Sequence, residues 1–456
     1  MMHTRNTEFC SAILFIFGAT GDLAAKKILP SLQQWYGDET PFAKICCLGR
    51  RPLDEAAYFS LVESKGGFKL SDVLKNRIRY HCLDFDDSPA YLALASRLDE
   101  GTSTAARLFF LAVKPEAFLA IATKLHATGL FIKGRSDHRL LFEKPFGESL
   151  ESAEKIQCHL MTLAKEEQLY RIDHYLGKEM IRNVLAIRFA NRIFSESWHS
   201  RAIETVEITS NETAGVEERL EYYDQTGAIN DMVQSHLLQM LALVAMETPD
   251  SLGSESIRLK KLNVLEHIKL VPGSPPIIGQ YQGYHQQAEN SQTETYVEVV
   301  LQVDTPQWQG TRFILKTGKM LGEKRTEIRL RYRPNSLCLS CADTINAEPN
   351  QLVIEVYPSE GIRLTFSSKV PGYDFVMEPV TADYCHSCRM TANKPESYVK
   401  LLKDALIGDK TLFASFDELH AQWRIADAIK AAARQAPLIA YPPGIKTVAP
   451  KGGLSC

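Results

Sequence analysis

Three short stretches concentrate groups able to do chemistry. Arg171-Ile172-Asp173-His174-Tyr175-Leu176-Gly177-Lys178-Glu179 packs an acid, an imidazole, a phenol and an ammonium into a few residues. An anionic, hydroxylated substrate such as a sugar phosphate needs cations and hydrogen-bonding groups to hold it and a carboxylate to assist the reaction. The residue types leave open which group does which. Glu143-Lys144-Pro145-Phe146-Gly147 closes an apolar run and puts a lysine where a parallel sheet meets its ligands; a surface Lys–Glu pair before a turn is the bland alternative. His236 ends Asp231-Met232-Val233-Gln234-Ser235-His236. On a helix it shares a face with Met232, Val233, Met240 and Leu243, where a histidine is more often a satisfied core residue. A general base also needs a cleft and a partner that tunes it, and Asp173 is the candidate partner.

A fourth stretch binds rather than reacts. Gly18-Ala19-Thr20-Gly21-Asp22-Leu23-Ala24 follows an apolar run and opens a helical pattern. Glycines there let the backbone approach a pyrophosphate, and the helix N-terminus offers free N–H groups. Alone the motif is a tight turn; after an N-terminal strand it favours a dinucleotide. The next apolar run ends at Leu48-Gly49-Arg50-Arg51-Pro52. An unphosphorylated ribose is usually met here by an acid, whereas two guanidinium groups suit a 2′-phosphate. The expected cofactor is therefore NADP.

These groups need rigid elements to hold them. Ile13–Phe17, Ile45–Leu48, Tyr80–Leu83, Arg107–Ala112 and Leu140–Phe142 read as strands alternating with helical stretches, the rhythm of an α/β, Rossmann-like, doubly wound parallel sheet. Leu150, Ala153, Ile156, Leu160 and Leu163 recur at helical spacing after Ser149, an N-cap. Val206–Ser210, Tyr296–Val303, Arg312–Lys316, Glu327–Tyr332, Leu352–Tyr357 and Ile362–Phe366 read as a larger, mostly antiparallel sheet in an α+β domain. Asp231–Glu247 reads as one long apolar helix, and Tyr398–Ile407 and Asp417–Arg434 as further helices. The expected division is a cofactor domain over 1–171 and a substrate domain over 172–456. Pro272–Gln292 is the most loop-like stretch.

The bulk numbers limit the partners. With 456 residues two or three domains are expected. A net charge of −3 calls for neither nucleic acid nor an anionic membrane, and no apolar run approaches the roughly 20 residues of a membrane span. The ten cysteines are expected as reduced thiols in a cytoplasmic protein. Cys338-Leu339-Ser340-Cys341 and Cys385-His386-Ser387-Cys388 have zinc-ligand spacing, but lie far apart for a compact zinc module, so no metal is expected.

With these motifs in order, followed by Arg188-Phe189-Ala190-Asn191, Tyr222-Tyr223-Asp224 and Thr317-Gly318-Lys319, the chain resembles the glucose-6-phosphate dehydrogenase family from about Ile13 to Trp423. The resemblance implies oxidation of glucose 6-phosphate at C1 to the lactone, the first step of the oxidative pentose phosphate pathway, by a homodimer or homotetramer. It implies that Gly18, Thr20, Gly21, Asp22, Leu23, Lys27, Arg50, Glu143 and Lys144 bind NADP, with Arg50 at the 2′-phosphate. Lys144 also faces the substrate, and its bond to Pro145 is expected cis. His174, Tyr175 and Lys178 hold the sugar phosphate. Glu212, Asp231, Lys319 and Lys324 hold hydroxyls or shape the pocket. His236 takes the C1 hydroxyl proton, and Asp173 orients and charges that imidazole.

The chain departs from the family pattern in places. Ser235 replaces Asn, Asn230 replaces Arg, Lys114 replaces a proline, and Tyr357 replaces a glutamine near the sugar. Glu355 replaces an arginine that in some members helps bind a second, structural NADP, so that site is not expected. None of these changes removes a catalytic group. The competing readings are another NAD(P)-dependent sugar oxidoreductase and a catalytically silent regulatory homologue.

Overall fold

The computed structural model describes residues 12–36, 41–99, 105–334, 349–372, 377–389 and 397–448. Two compact units emerge, one of residues 1–177 and 393–416, the other of 178–392 and 417–456.

In the first unit, strands β1 (Ile13–Phe17), β2 (Lys44–Gly49), β3 (Ile78–Cys82), β4 (Arg107–Leu111), β5 (His138–Glu143) and β6 (Leu169–Ile172) form a parallel sheet in the order β6-β5-β4-β1-β2-β3. β1 and β4 are buried at every position because helices cover both faces, so they read as continuous apolar runs rather than alternating ones. Phe15 and Phe109 stack at their shared edge with ring centroids 4.6 Å apart. The strand order reverses at β1/β4, the point where such sheets bind ligands. After β5, helix α1 (Leu150–Leu163) starts in a capping box made by Ser149 and Ser152.

Sequence patterning missed β6 and the return of the later segment. Its two-residue strand Phe413–Ala414 pairs antiparallel with β6, extending the parallel sheet by one edge strand. Basic side chains fasten the segment: Arg139 donates to the carbonyls of Ala405 and Leu406 at the end of helix Ser397–Ile407, and Lys410 Nζ donates to the Glu166 carbonyl at 2.6 Å.

Among the described residues, the second unit is built on ten strands. They are β7 (Ile203–Asn211), β8 (Ile268–Leu270), β9 (Ile277–Tyr281), β10 (Tyr296–Val303), β11 (Arg312–Gly318), β12 (Arg325–Tyr332), β13 (Gln351–Tyr357), β14 (Gly361–Lys369), β15 (Met377–Cys385) and β16 (Leu438–Tyr441). Their order is β15-β14-β13-β12-β7-β11-β10-β9-β16, with β8 beside β10. Pairing is antiparallel except β7–β11 and β9–β16. The stretch read as loop, Pro272–Gln292, contains β9 and the short helix Tyr284–Gln287; its Gly, Pro and Gln content hid a strand that tertiary pairing stabilises.

Two other expectations change. Cys385 and Cys388 are joined as a disulfide rather than being reduced thiols, while Cys338 and Cys341 lie outside the described residues. The long apolar helix is also not uniform: Ile229–Leu237 is π-helical and continues as α2 (Leu238–Ala245).

Candidate active site

The first unit presents its motifs along the carboxyl edge of its parallel sheet. Gly18 turns the chain at φ +75°, and a Cβ there would lie 2.2 Å from the Ala112 carbonyl oxygen, so only glycine fits beside the end of β4. The Ala19 N–H donates to the Leu48 carbonyl at 3.0 Å, bringing the turn against the end of β2 and next to exposed Arg50. Hydrogen bonds from Lys26 and Lys65 hold the Asp22 carboxyl down at about 2. Lys65 Nζ also donates to the Thr20 carbonyl at 3.2 Å. Gly21 and Leu23 complete the turn, and Lys27 is exposed on the first turn of the following helix. A glycine cradle with basic side chains around it fits a dinucleotide phosphate. Lys65 was missed because it lies on a separate helix, distant in sequence.

Glu143 and Ile172 are register partners in β5 and β6, so Lys144 and Asp173 emerge side by side past adjacent strand ends. The Lys144–Pro145 bond is cis. Asp173 Oδ1 accepts from the Tyr175 N–H at 2.9 Å, fixing the turn that carries His174. The rings of His174 and Tyr175 lie 5.0 Å apart. Tyr398, from the returning segment, donates its hydroxyl to Glu143 Oε1 at 2.5 Å. Burial pushes the Glu143 carboxyl up to about 7; Asp173 adds to the rise, while Tyr398 and Lys144 oppose it.

The second unit gathers a different set. β7 and β11 run parallel with Asn211 level with Gly318, and β12 starts level with Asn211. Glu212, Lys319 and Lys324 therefore cluster at one edge of three neighbouring strands although they are far apart in sequence. Glu212 and Lys319 form an ion pair. Lys319 Nζ lies 5.0 Å over the Tyr223 ring and Lys324 Nζ 5.0 Å over the Tyr357 ring. Tyr357 thus meets Lys324 directly. Lys178 precedes the first turn of helix Glu179–Ala190, and its carbonyl accepts from the Ile181 N–H.

Asp231 and His236 lie on the π-helical segment, both buried. Hydrogen bonding from i to i+5 stacks residues five apart, so the pair shares a face that α-helical periodicity denies it.

The segment is held at both ends. Gly227 kinks the chain at φ +66°, where a Cβ would lie 2.5 Å from Glu294 Oε1, and Glu294 accepts from the Ile229 N–H at 3.0 Å. Beyond it, the last carbonyls of α2 are met by buried side chains. Arg188 donates to Leu243 O at 2.6 Å and to Met246 O, Trp198 to Val244 O at 2.8 Å, and Trp308 to Ala245 O at 2.7 Å. Burial pushes the Arg188 guanidinium down to about 9, which leaves it charged at neutral pH. A cation at the C-terminus favours the helix dipole. Neither Glu294 nor the two tryptophans carried a motif in the sequence.

Comparison with known proteins covers both units. The family model described as glucose-6-phosphate dehydrogenase, NAD binding domain, matches residues 15–183, and the corresponding C-terminal domain model matches 185–451, past Trp423. Glucose-6-phosphate 1-dehydrogenase of Bacillus subtilis is 38% identical over 450 residues, covering 92% of this chain and 91% of that one. A solved glucose-6-phosphate dehydrogenase in complex with its substrate superposes with a TM-score of 0.88 at 30% identity, covering 97% and 96% of the two chains. The Mycobacterium avium glucose-6-phosphate 1-dehydrogenase structure gives 0.84 at 32% identity, covering 95% and 94%.

Proposed function

The chain belongs to the glucose-6-phosphate dehydrogenase family, and from that premise we propose that it oxidises glucose 6-phosphate at C1 to 6-phosphoglucono-1,5-lactone with His236 as the base. When bound, NADP supplies the hydride acceptor. The Gly18–Leu23 turn holds its pyrophosphate, Lys27 and Arg50 meet its anionic groups, and Glu143 and Lys144 line the approach to substrate. Arg50 at the 2′-phosphate sets the preference over NAD. His174, Tyr175 and Lys178 hold the sugar phosphate. Glu212, Asp231, Lys319 and Lys324 hold the hydroxyls or shape the pocket.

A ring nitrogen of His236 takes the C1 hydroxyl proton as the hydride leaves, so no full alkoxide has to form. Asp173 orients that imidazole and favours its charged form. The observation that most supports the assignment is the bracing of the His236 helix by Glu294 at one end and by Arg188, Trp198 and Trp308 at the other. A base that must meet one hydroxyl gains from a rigid mount. Assembly as a homodimer or homotetramer and a cytoplasmic location belong to the same proposal. Exposed Phe366 and Tyr384 on β14 and β15 support a further contact surface, and no helix among the described residues is long and apolar enough to cross a membrane.

The test compares initial rates for glucose 6-phosphate, glucose and inositol with NADP and NAD at matched concentrations, in wild type and His236→Asn. Glucose 6-phosphate with NADP should be fastest, and His236→Asn should lower kcat by at least about 100-fold. Near-normal turnover in that variant would remove His236 from the role and make His174 the next candidate.

A further inference from the structure

The helix carrying His236 is apolar along most of its length, yet a buried polar network sits against it. Gln239, Lys261, Glu418 and Gln422 are each 1% exposed or less. Lys261 comes from α3 (Ser254–Glu266), and Glu418 and Gln422 come from α4 (Phe416–Ala433). Lys261 Nζ lies 2.8 Å from Glu418 Oε1 and donates to Gln239 Oε1 at 3.1 Å. Gln422 Nε2 donates to the Ser235 carbonyl at 3.3 Å. Glu418 and Gln422 are four residues apart, so one face of α4 delivers both groups. The points they reach are the residue before His236 and the residue three after it.

Stability does not account for this network. Desolvating a carboxylate and an ammonium costs several kcal/mol per ion, and apolar residues of similar volume usually serve a core as well or better. The position of the network is informative. It spans the junction where the π-helical segment becomes α-helical, and there the Leu238 N–H is shared between the carbonyls of Val233 and Ser235. A π-segment holds one residue more than the α register allows, and relaxing it would turn the residues on one side by roughly 100° about the axis. His236 would then face elsewhere. Gln422 gives the Ser235 carbonyl a second donor at this junction, and Lys261 ties Gln239 just beyond it to Glu418.

We propose that Gln239, Lys261, Glu418 and Gln422 are positioning residues that lock the helical register presenting His236. None touches the reacting atoms. The inference rests on the reading of His236 as base.

The test uses two folded variants. Lys261→Met/Glu418→Leu removes both charges together, which avoids stranding either one in the core. Gln422→Leu removes a single hydrogen bond and leaves every charge in place. Displacing a catalytic group by about 1 Å costs on the order of 100-fold. In the double variant kcat should therefore fall about 10- to 100-fold, with KM for glucose 6-phosphate and NADP nearly unchanged. The deuterium isotope effect with 1-deuterio glucose 6-phosphate should rise as the chemical step becomes limiting. Gln422→Leu should show a smaller loss of the same kind, and it decides the matter if the double variant does not fold. Each variant is also built on His236→Asn, where the network has no base left to position and should cost almost nothing further. Unchanged kcat in a folded network variant, or an equal loss in the His236→Asn background, overturns the proposal. Near-normal turnover in His236→Asn itself would instead overturn the reading on which it rests.

Discussion

Glu143→Gln should stabilise the protein at alkaline pH and much less at acid pH. Burial lifts the Glu143 carboxyl from 4.5 to about 7. A carboxyl raised on folding binds protons more tightly in the folded state. Its penalty is therefore absent below the unfolded pKa, grows as pH rises through 4.5 to 7, and is complete above that. That rise corresponds to about 3 kcal/mol at pH 8 and about 1 kcal/mol at pH 5. Glutamine has the shape of the protonated acid, can still accept from Tyr398, and never ionises.

The assay is thermal unfolding of both proteins, without cofactor, from pH 5 to pH 8.5. In a unit of roughly 200 residues each kcal/mol moves Tm by about 2–4 °C. Glu143→Gln should thus gain about 6 °C or more over wild type at pH 8, and only about 2–4 °C at pH 5. Tyr398→Phe removes the hydroxyl that favours the ionised form, so in that background the gap should open at the same pH but go on growing past pH 7 and end larger. A gap that is flat with pH, or that closes as pH rises, would refute the assignment of a raised carboxyl.

Other outcomes follow from single side chains. Arg50→Ala should raise the NADP Michaelis constant by about 10- to 100-fold and leave that for NAD nearly untouched, because a charge-assisted bond to phosphate contributes about 1.5–3 kcal/mol; initial rates with each cofactor check this. Lys178→Ala should weaken glucose 6-phosphate binding with kcat largely kept, the reverse of His236→Asn, as steady-state kinetics will show. Arg188→Met should leave the carbonyls of Leu243 and Met246 without their guanidinium donor and cost about 2–5 kcal/mol in urea unfolding.

Much of this protein is legible in its sequence because the signals are local. A glycine turn between an apolar strand and a helix, two arginines ending the next strand, and Asp173 beside His174 and Tyr175 each form a motif within a few residues. Buried parallel strands declare themselves as apolar runs, and Ser149 marks a helix start. Contacts that close over long sequence distances were not legible. Register brings Glu212 beside Lys319, strand pairing together with Arg139 and Lys410 returns residues 397–416 to the first unit, and pairing with β10 makes a strand of Ile277–Tyr281. The π-register was hidden because apolar periodicity over Asp231–Glu247 fits an ordinary helix equally well. Lys261, Glu418 and Gln422 read as unremarkable polar residues on separate helices. Only packing, by burying them against the turn that carries His236, gave them a role, since a charge means one thing in water and another where no solvent can replace its partner.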